Sequence, residues 1–249
     1  MGLFGKKKES AVVFVDYEYM QISFKNKHRI NPPVADWYHE LEEQYQIRDI
    51  YFFADFTNHA IRNNLDEIRK ITSNTIDTQN TASRHKKDFT DFFILDQIYQ
   101  MAFDRRSPGT FIIFTGDGHF SAAVRFLINK CGKKVVIYGI EDTISNTLKT
   151  VATQYVIYPT YNKLKRLYYP TLAKCMQTML DQSYQYLTFM VVVKYVFEQT
   201  QINQTAIHDA LEQMIADGYV SLKETYHRRR KTRILSPDWD RIRQDKILL

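Results

Sequence analysis

Asp16, Asp55 and Asp117 share a setting. Each follows, at once or nearly so, a short apolar run: Ala11–Val15, Asp49–Ala54 and Phe111–Phe114. Ligands of an open parallel sheet bind beyond the carboxyl ends of its strands, so three carboxylates far apart in sequence are expected at one edge. Asp88 and Asp91, in Lys86-Lys-Asp-Phe-Thr-Asp91, are three positions apart and would share a face at the start of a helix. Taken singly, an Asp in a loop or cap is commonplace, and acids in a first helical turn favour the helix dipole. Gathered at one edge, carboxylates raise one another's pKa unless a cation lies between them. An all-oxygen site suits Mg²⁺ or Mn²⁺, which could lower the pKa of a water and stabilise a phosphodiester transition state.

The elements that must position these acids are legible in the apolar pattern. Besides the three runs above, Val135–Tyr138 and Tyr155–Tyr158 are brief, β-branched or aromatic and closed by Gly139 and Pro159, and Asn74 to Gln79 is a weaker sixth. Such runs predict strands buried on both faces. Helical patterns lie between them at 34–45, 60–71, 88–103, 121–129 and 144–152. Alternating strands and helices predict an α/β fold with a doubly wound, mostly parallel sheet. After Pro159 the pattern changes. Tyr161 to Tyr169 reads as a basic, aromatic connector, and 172–180, 187–199 and 204–217 as helices. Tyr219–Leu222 and Thr232–Leu235 read as strands around His227-Arg-Arg-Arg-Lys231. Helix, helix, hairpin is the order of a winged helix-turn-helix. The expected organisation is a basic tail over 1–10, an α/β domain over 11–159, a helical linker over 160–185 and a small winged-helix-like domain over 186–249.

Phe14-Val-Asp16-Tyr-Glu18, the helix Asp91-Phe-Phe-Ile-Leu-Asp96, and Phe114-Thr-Gly-Asp-Gly-His-Phe120 followed by Lys133-Lys-Val-Val-Ile-Tyr138-Gly139 stand in the motif order of a known family. Over roughly residues 11–158 the chain resembles the NYN domain, a branch of the PIN-like metal-dependent nucleases. The resemblance implies a doubly wound domain whose acidic, Mg²⁺- or Mn²⁺-binding site cleaves RNA. Asp16 matches the acid ending the first strand, Asp91 the acid opening the central helix, and Asp117 the first acid of the Gly-Asp motif. These three are the expected catalytic and metal-binding residues. Asp55, Asp88 and His119 are secondary metal candidates. Thr115 matches the small hydroxyl residue before the Gly-Asp motif, and with Lys87 it is expected to face the nucleic acid. Two positions depart from the pattern: Tyr19 stands where many relatives have Asn, and His119 where many have a second Asp. An alternative reading is therefore a catalytically degenerate domain that binds nucleic acid or regulates.

Charge and composition narrow the classes further. The formal charge of +6 is unevenly placed: residues 1–160 carry 20 Lys+Arg against 19 Asp+Glu, whereas 161–249 carry 14 against 9. Basicity thus belongs to the C-terminal part. Arg228, Arg229, Arg230, Lys231 and Arg233 predict a cationic wing able to track a phosphate backbone without reading sequence. The candidate recognition helix, 204–217, carries Asp209, Glu212 and Asp217 and no Lys or Arg, which disfavours insertion between phosphates. RNA is the leading expected partner, other nucleic acid the next, and a homodimer through the winged helix a third reading. Two cysteines cannot build a disulfide framework or a zinc site. No run approaches the roughly 20 apolar residues of a membrane span, the first ten residues lack a secretory apolar core, and Lys6 replaces the Ser or Thr of a myristoylation motif. A cytoplasmic protein without a membrane partner is expected. A dehalogenase-like phosphatase is disfavoured by Glu18 and His119-Phe120, and no Gly-rich phosphate loop follows any strand.

Overall fold

The structure is a computed structural model that describes residues 7–62, 64–79, 89–182, 184, 186–227 and 230–248. Asp88, Lys87, Arg228 and Arg229 lie outside the described residues, and of Arg230 only the backbone is described. The chain divides into two compact units that meet between Tyr158 and Pro159.

The first unit runs β1 (Glu9–Asp16), α1 (Tyr17–His28), α2 (Val34–Gln44), β2 (Tyr45–Ala54), α3 (His59–Arg62), α4 (Leu65–Ile71), β3 (Thr75–Asp77), α5 (Phe89–Phe103), β4 (Thr110–Phe114), a 3₁₀ turn (Gly118–Phe120), α6 (Ser121–Asn129), β5 (Lys134–Gly139), α7 (Asn146–Val151) and β6 (Gln154–Ile157). All six strands are parallel, in the order β3-β2-β1-β4-β5-β6. The doubly wound sheet expected from the alternating pattern is present. Its central strand β1 has no solvent-accessible surface from Ala11 to Val15, which explains a continuous rather than alternating apolar run. On one face Phe14, Phe53, Ile113 and Ile137 pack against Ile94 and Ile98 of α5 and Val124 and Leu127 of α6. On the other, Trp37 of α2 meets Phe114 and Tyr138 edge-on, and Tyr17 of α1 meets Phe52.

Two elements differ from the expectation. No helix is expected from the pattern directly after β1, yet α1 fills twelve residues and is capped by Asp16, whose Oδ1 accepts from Tyr19 N at 3.0 Å. The helix expected as one piece over 60–71 is two, α3 and α4. Their junction holds Asn64, a buried residue whose amide is drawn to Gln21 at 3.1 Å. The segment Tyr161 to Tyr169, part of the linker expected to be helical, is largely helical.

The second unit runs α8 (Tyr161–Leu167), α9 (Tyr169–Asp181), α10 (Phe189–Thr200), α11 (Gln204–Ala216), β7 (Val220–His227), β8 (Arg230–Pro237) and α12 (Trp239–Gln244). Thr160 caps α8, accepting from Lys163 N at 3.4 Å. β7 and β8 form one antiparallel pair from Val220↔Pro237 to His227↔Arg230, longer than the short strands expected there. A final helix, α12, capped by Asp238, adds to the expected elements.

Candidate metal centre

The strand order reverses between β1 and β4, which makes their carboxyl ends the switch point where an α/β sheet opens a crevice. Asp16 ends β1, and Thr115-Gly116-Asp117 follows β4 directly. Asp16 is buried, and both its oxygens are engaged. Oδ1 accepts from Tyr19 N, and Oδ2 accepts from the Thr115 hydroxyl at 3.2 Å. Burial pushes the Asp16 carboxyl up to about 7; the charges of Asp91 and Glu18 add to that, while the Tyr19 N–H and Thr115 hydroxyl oppose it.

Thr115 has no solvent-accessible surface, and its hydroxyl also accepts from Asp117 N at 3.3 Å, so it links the two strand-end acids. Asp117 opens the 3₁₀ turn, its Oδ1 accepting from His119 N at 2.8 Å, and the His119 ring Nδ1 lies 3.3 Å from the same oxygen. Gly116 is required between them. A Cβ there would stand 2.4 Å from the Thr143 carbonyl and 2.5 Å from the Tyr19 ring. Asp91, in the first turn of α5, completes the cluster: ligand atoms of Asp91, Asp117 and His119 all lie within 4.8 Å of one another.

The structure therefore brings Asp91, Asp117 and His119 together, with Asp16 beside them and coupled to Asp91. Asp55 has a different setting. Its carboxylate accepts from Thr57 N at 3.0 Å and from the Thr57 hydroxyl, an Asx turn at the end of β2. Glu18, which sequence reasoning passes over, spans the gap. Its Oε1 accepts from Asp55 N at 2.7 Å and lies 3.5 Å from the Thr90 hydroxyl, next to Asp91. The signal is an acid two residues beyond Asp16, but its relevance depends on α1 being a helix. Tyr19 has a definite place too. Its hydroxyl pairs with Thr143 Oγ1 at 2.5 Å and accepts from Ile140 N at 3.0 Å, joining α1 to the loop after β5.

The residues fit a divalent cation. The Asp16 carboxyl, raised by burial and further by the charges of Asp91 and Glu18, lacks compensating positive charge, and carboxylate oxygens with one imidazole are donors that Mn²⁺ accepts and Mg²⁺ accepts in part.

In the second unit Asp209 of α11 and Asp217 at its C-terminal cap pair with the unit's own helices. Asp217 pairs with Arg166 at 3.1 Å and accepts from the Tyr169 hydroxyl at 2.9 Å, while Asp209 accepts from the Tyr161 hydroxyl. On the hairpin, Lys231 and Arg233 lie 2.7 and 3.9 Å from Glu224. No described helix is long and apolar enough to cross a membrane.

A six-stranded parallel sheet of this order, with acids gathered at its switch point, fits a PIN-like NYN domain. The NYN domain family model matches residues 10–162, more than half of the chain, and the protein belongs to that family. Its members generally bind nucleic acid, and PIN-like nucleases generally use divalent metals. A protein of unknown function from Vibrio parahaemolyticus RIMD 2210633 has a similar fold: TM-score 0.55 and 19% identity, covering 64% of this chain and 98% of that one. No curated protein matches the chain.

Proposed function

We propose that the protein is a divalent-metal-dependent endoribonuclease. The observation that carries this reading is the convergence at the switch point: Asp91, Asp117 and His119 within 4.8 Å, beside the buried Asp16 that Asp91 polarises. Asp16, Asp91 and Asp117 would hold Mg²⁺ or Mn²⁺, with His119 as a further donor. When bound, the cation supplies Lewis acidity and a more acidic water for hydrolysis of a phosphodiester. The chain's own groups do the positioning. The Tyr19 N–H and the Thr115 hydroxyl fix one oxygen each of Asp16 and leave each oxygen a second lone pair. Thr115 fixes the Asp117 backbone as well, so one buried hydroxyl sets the spacing of two acids. Asp117 accepts from His119 N at 2.8 Å, which holds the His119 ring beside the acid, its Nδ1 3.3 Å from the same oxygen.

The C-terminal unit is read as a winged-helix-like module whose β7–β8 wing, with Lys231, Arg233 and the neighbouring arginines, adds sequence-tolerant affinity for RNA. Asp209 of α11 and Asp217 at its C-terminal cap are bonded to α8 and α9, which is consistent with a wing-led rather than a helix-led contact.

The test is cleavage of labelled single-stranded and structured RNA. Activity is expected with Mn²⁺ or Mg²⁺, suppressed by EDTA, and absent in Asp117→Asn with an unchanged circular dichroism spectrum. Cleavage that persists in EDTA or in Asp117→Asn overturns the reading. A second reading, binding without turnover, is favoured by His119 standing where a further acid would add negative charge. It predicts salt-sensitive RNA binding and intact RNA in every divalent metal.

A further inference from the structure

A polar groove of about 610 Å³ begins at Asp117 and runs beside the loop between β5 and α7, with Thr143, Ser145, Asn146 and Lys149 along it. Gly118 keeps it open at the acid end: a Cβ there would stand 2.8 Å from Ser145 Oγ. Its size suits one nucleotide. Its chemistry suits a sugar–phosphate more than a base, because hydroxyl, amide and ammonium groups lie between the carboxylates of Asp117 and Asp142, with little apolar surface.

Lys149 is the cation of this groove and is poised for an external anion. Its side chain is half-buried, and its ammonium lies 5.8 Å from the centre of the Tyr155 ring, a contact that restrains a flexible side chain. Among the described residues no ion pair joins it to a carboxylate. Asp142, the other acid on the groove, is paired with Lys27 at 2.5 Å and feels the charge of Lys149 only as a smaller effect. The Asn146 amide likewise makes no side-chain hydrogen bond among the described residues, while Ser145 Oγ accepts from Thr147 N at 3.2 Å and keeps its own proton to donate.

We infer that this groove is a nucleotide subsite for the residue next to the scissile phosphate, with Lys149 binding its phosphate and Asn146 and Ser145 its polar edge. The inference rests on the ribonuclease reading, since it is Asp117 that places the scissile bond at one end of the groove. Lys149 is a positioning residue in this scheme and coordinates nothing.

The experiment compares wild type, Lys149→Gln, Lys149→Arg and Lys130→Gln, the last removing a cation from the opposite edge of the sheet. Fluorescent single-stranded RNA is followed by anisotropy across a salt series and, separately, by cleavage in Mn²⁺. Lys149→Gln is expected to raise KM about 5–20-fold with kcat changed less than about twofold, and to reduce the slope of log affinity against log salt by about 0.7, the value for one phosphate of a single strand. Lys149→Arg should restore most of both, and Lys130→Gln should change neither. An unchanged slope and KM in Lys149→Gln overturns the subsite, and so does an equal loss in Lys130→Gln. If wild type binds RNA but cleaves none, the ribonuclease reading fails, and the slope alone then decides the subsite by the same criterion.

Discussion

Asp16 performs two duties that pull in opposite directions. As the cap of α1 its carboxylate satisfies an orphan N–H of a helix start, which stabilises the fold. As a buried acid beside Asp91 and Glu18 it resists ionisation, and its pKa rises to about 7 from 3.8. A folded-state pKa above the unfolded value means the folded chain binds more protons. The contribution to stability is then complete below about pH 4 and is lost as pH climbs through 7. Asp16→Asn keeps the cap, since Asn caps as well as Asp, and removes the titration. The variant should gain on wild type between pH 4 and pH 8, by roughly 2–4 kcal/mol at the upper end, or roughly 5–10 °C in Tm. His28, pushed down to about 4 by burial, contributes equally to both chains and cancels in the difference. Mn²⁺ at neutral pH should raise the Tm of wild type and leave the variant unmoved. Thermal melts across pH, with and without Mn²⁺, check this; a gap that does not widen with pH rules it out. Asp16 and Asp117 are readable from sequence because each follows an apolar strand, and Asp91 because the helix it opens stands in the family's motif order. The role of Glu18 is not, because its partners, Asp55 N and Thr90, come from other elements.

Among the elements, α1 shows why some of the fold escapes a reading of periodicity. Tyr17, Met20 and Phe24 supply an apolar stripe, but Gln21, Ser23 and His28 are buried with them. Gln21 is tolerated inside because Asn64 donates to it at 3.1 Å and its own amide donates to the Ala60 carbonyl at 3.3 Å. Those partners are invisible in a local window, so the segment looks polar. The same holds for α8, whose Tyr161 and Arg166 find their partners in Asp209 of α11 and in Asp217 just beyond it. Strands such as β1 and β4 need no such partners and are legible directly. The tie that fixes α1 against the site is the Tyr19 hydroxyl, bonded to Thr143 and to Ile140 N. Tyr19→Phe keeps the ring against Gly116 and leaves the Ile140 N–H without its acceptor, a loss of about 1–3 kcal/mol. Hydrogen exchange should show the Ile140 amide losing protection while amides of β1 keep theirs. Unaltered exchange at Ile140 would mean that the hydroxyl is not the tie.

For the whole molecule, the charge is partitioned as the chemistry is. The unit with the acid cluster is nearly balanced, and the excess of Lys and Arg lies after residue 160. An acidic site repels a polyanion, so affinity in the proposed enzyme needs cations outside the acid cluster, and we assign most of it to the basic second unit, with Lys149 adding one phosphate contact. The hairpin carries its own counterweight, because Glu224 lies 2.7 Å from Lys231 and 3.9 Å from Arg233. These pairs are exposed and contribute little to stability, so altering them changes the charge offered to a ligand more than it changes the fold. Glu224→Gln should therefore tighten RNA binding several-fold at low salt. Lys231→Gln with Arg233→Gln should weaken it and reduce the salt slope by about 0.7 for each phosphate no longer neutralised. In Mn²⁺ the turnover of bound RNA should be the same in wild type and both variants, since none of these residues belongs to the acid cluster. Anisotropy across a salt series together with single-turnover cleavage measures both quantities. Opposite shifts in affinity at constant single-turnover rate assign the basicity to holding substrate. Equal affinities in all three chains would show that the wing does not touch nucleic acid and that the C-terminal unit binds something else.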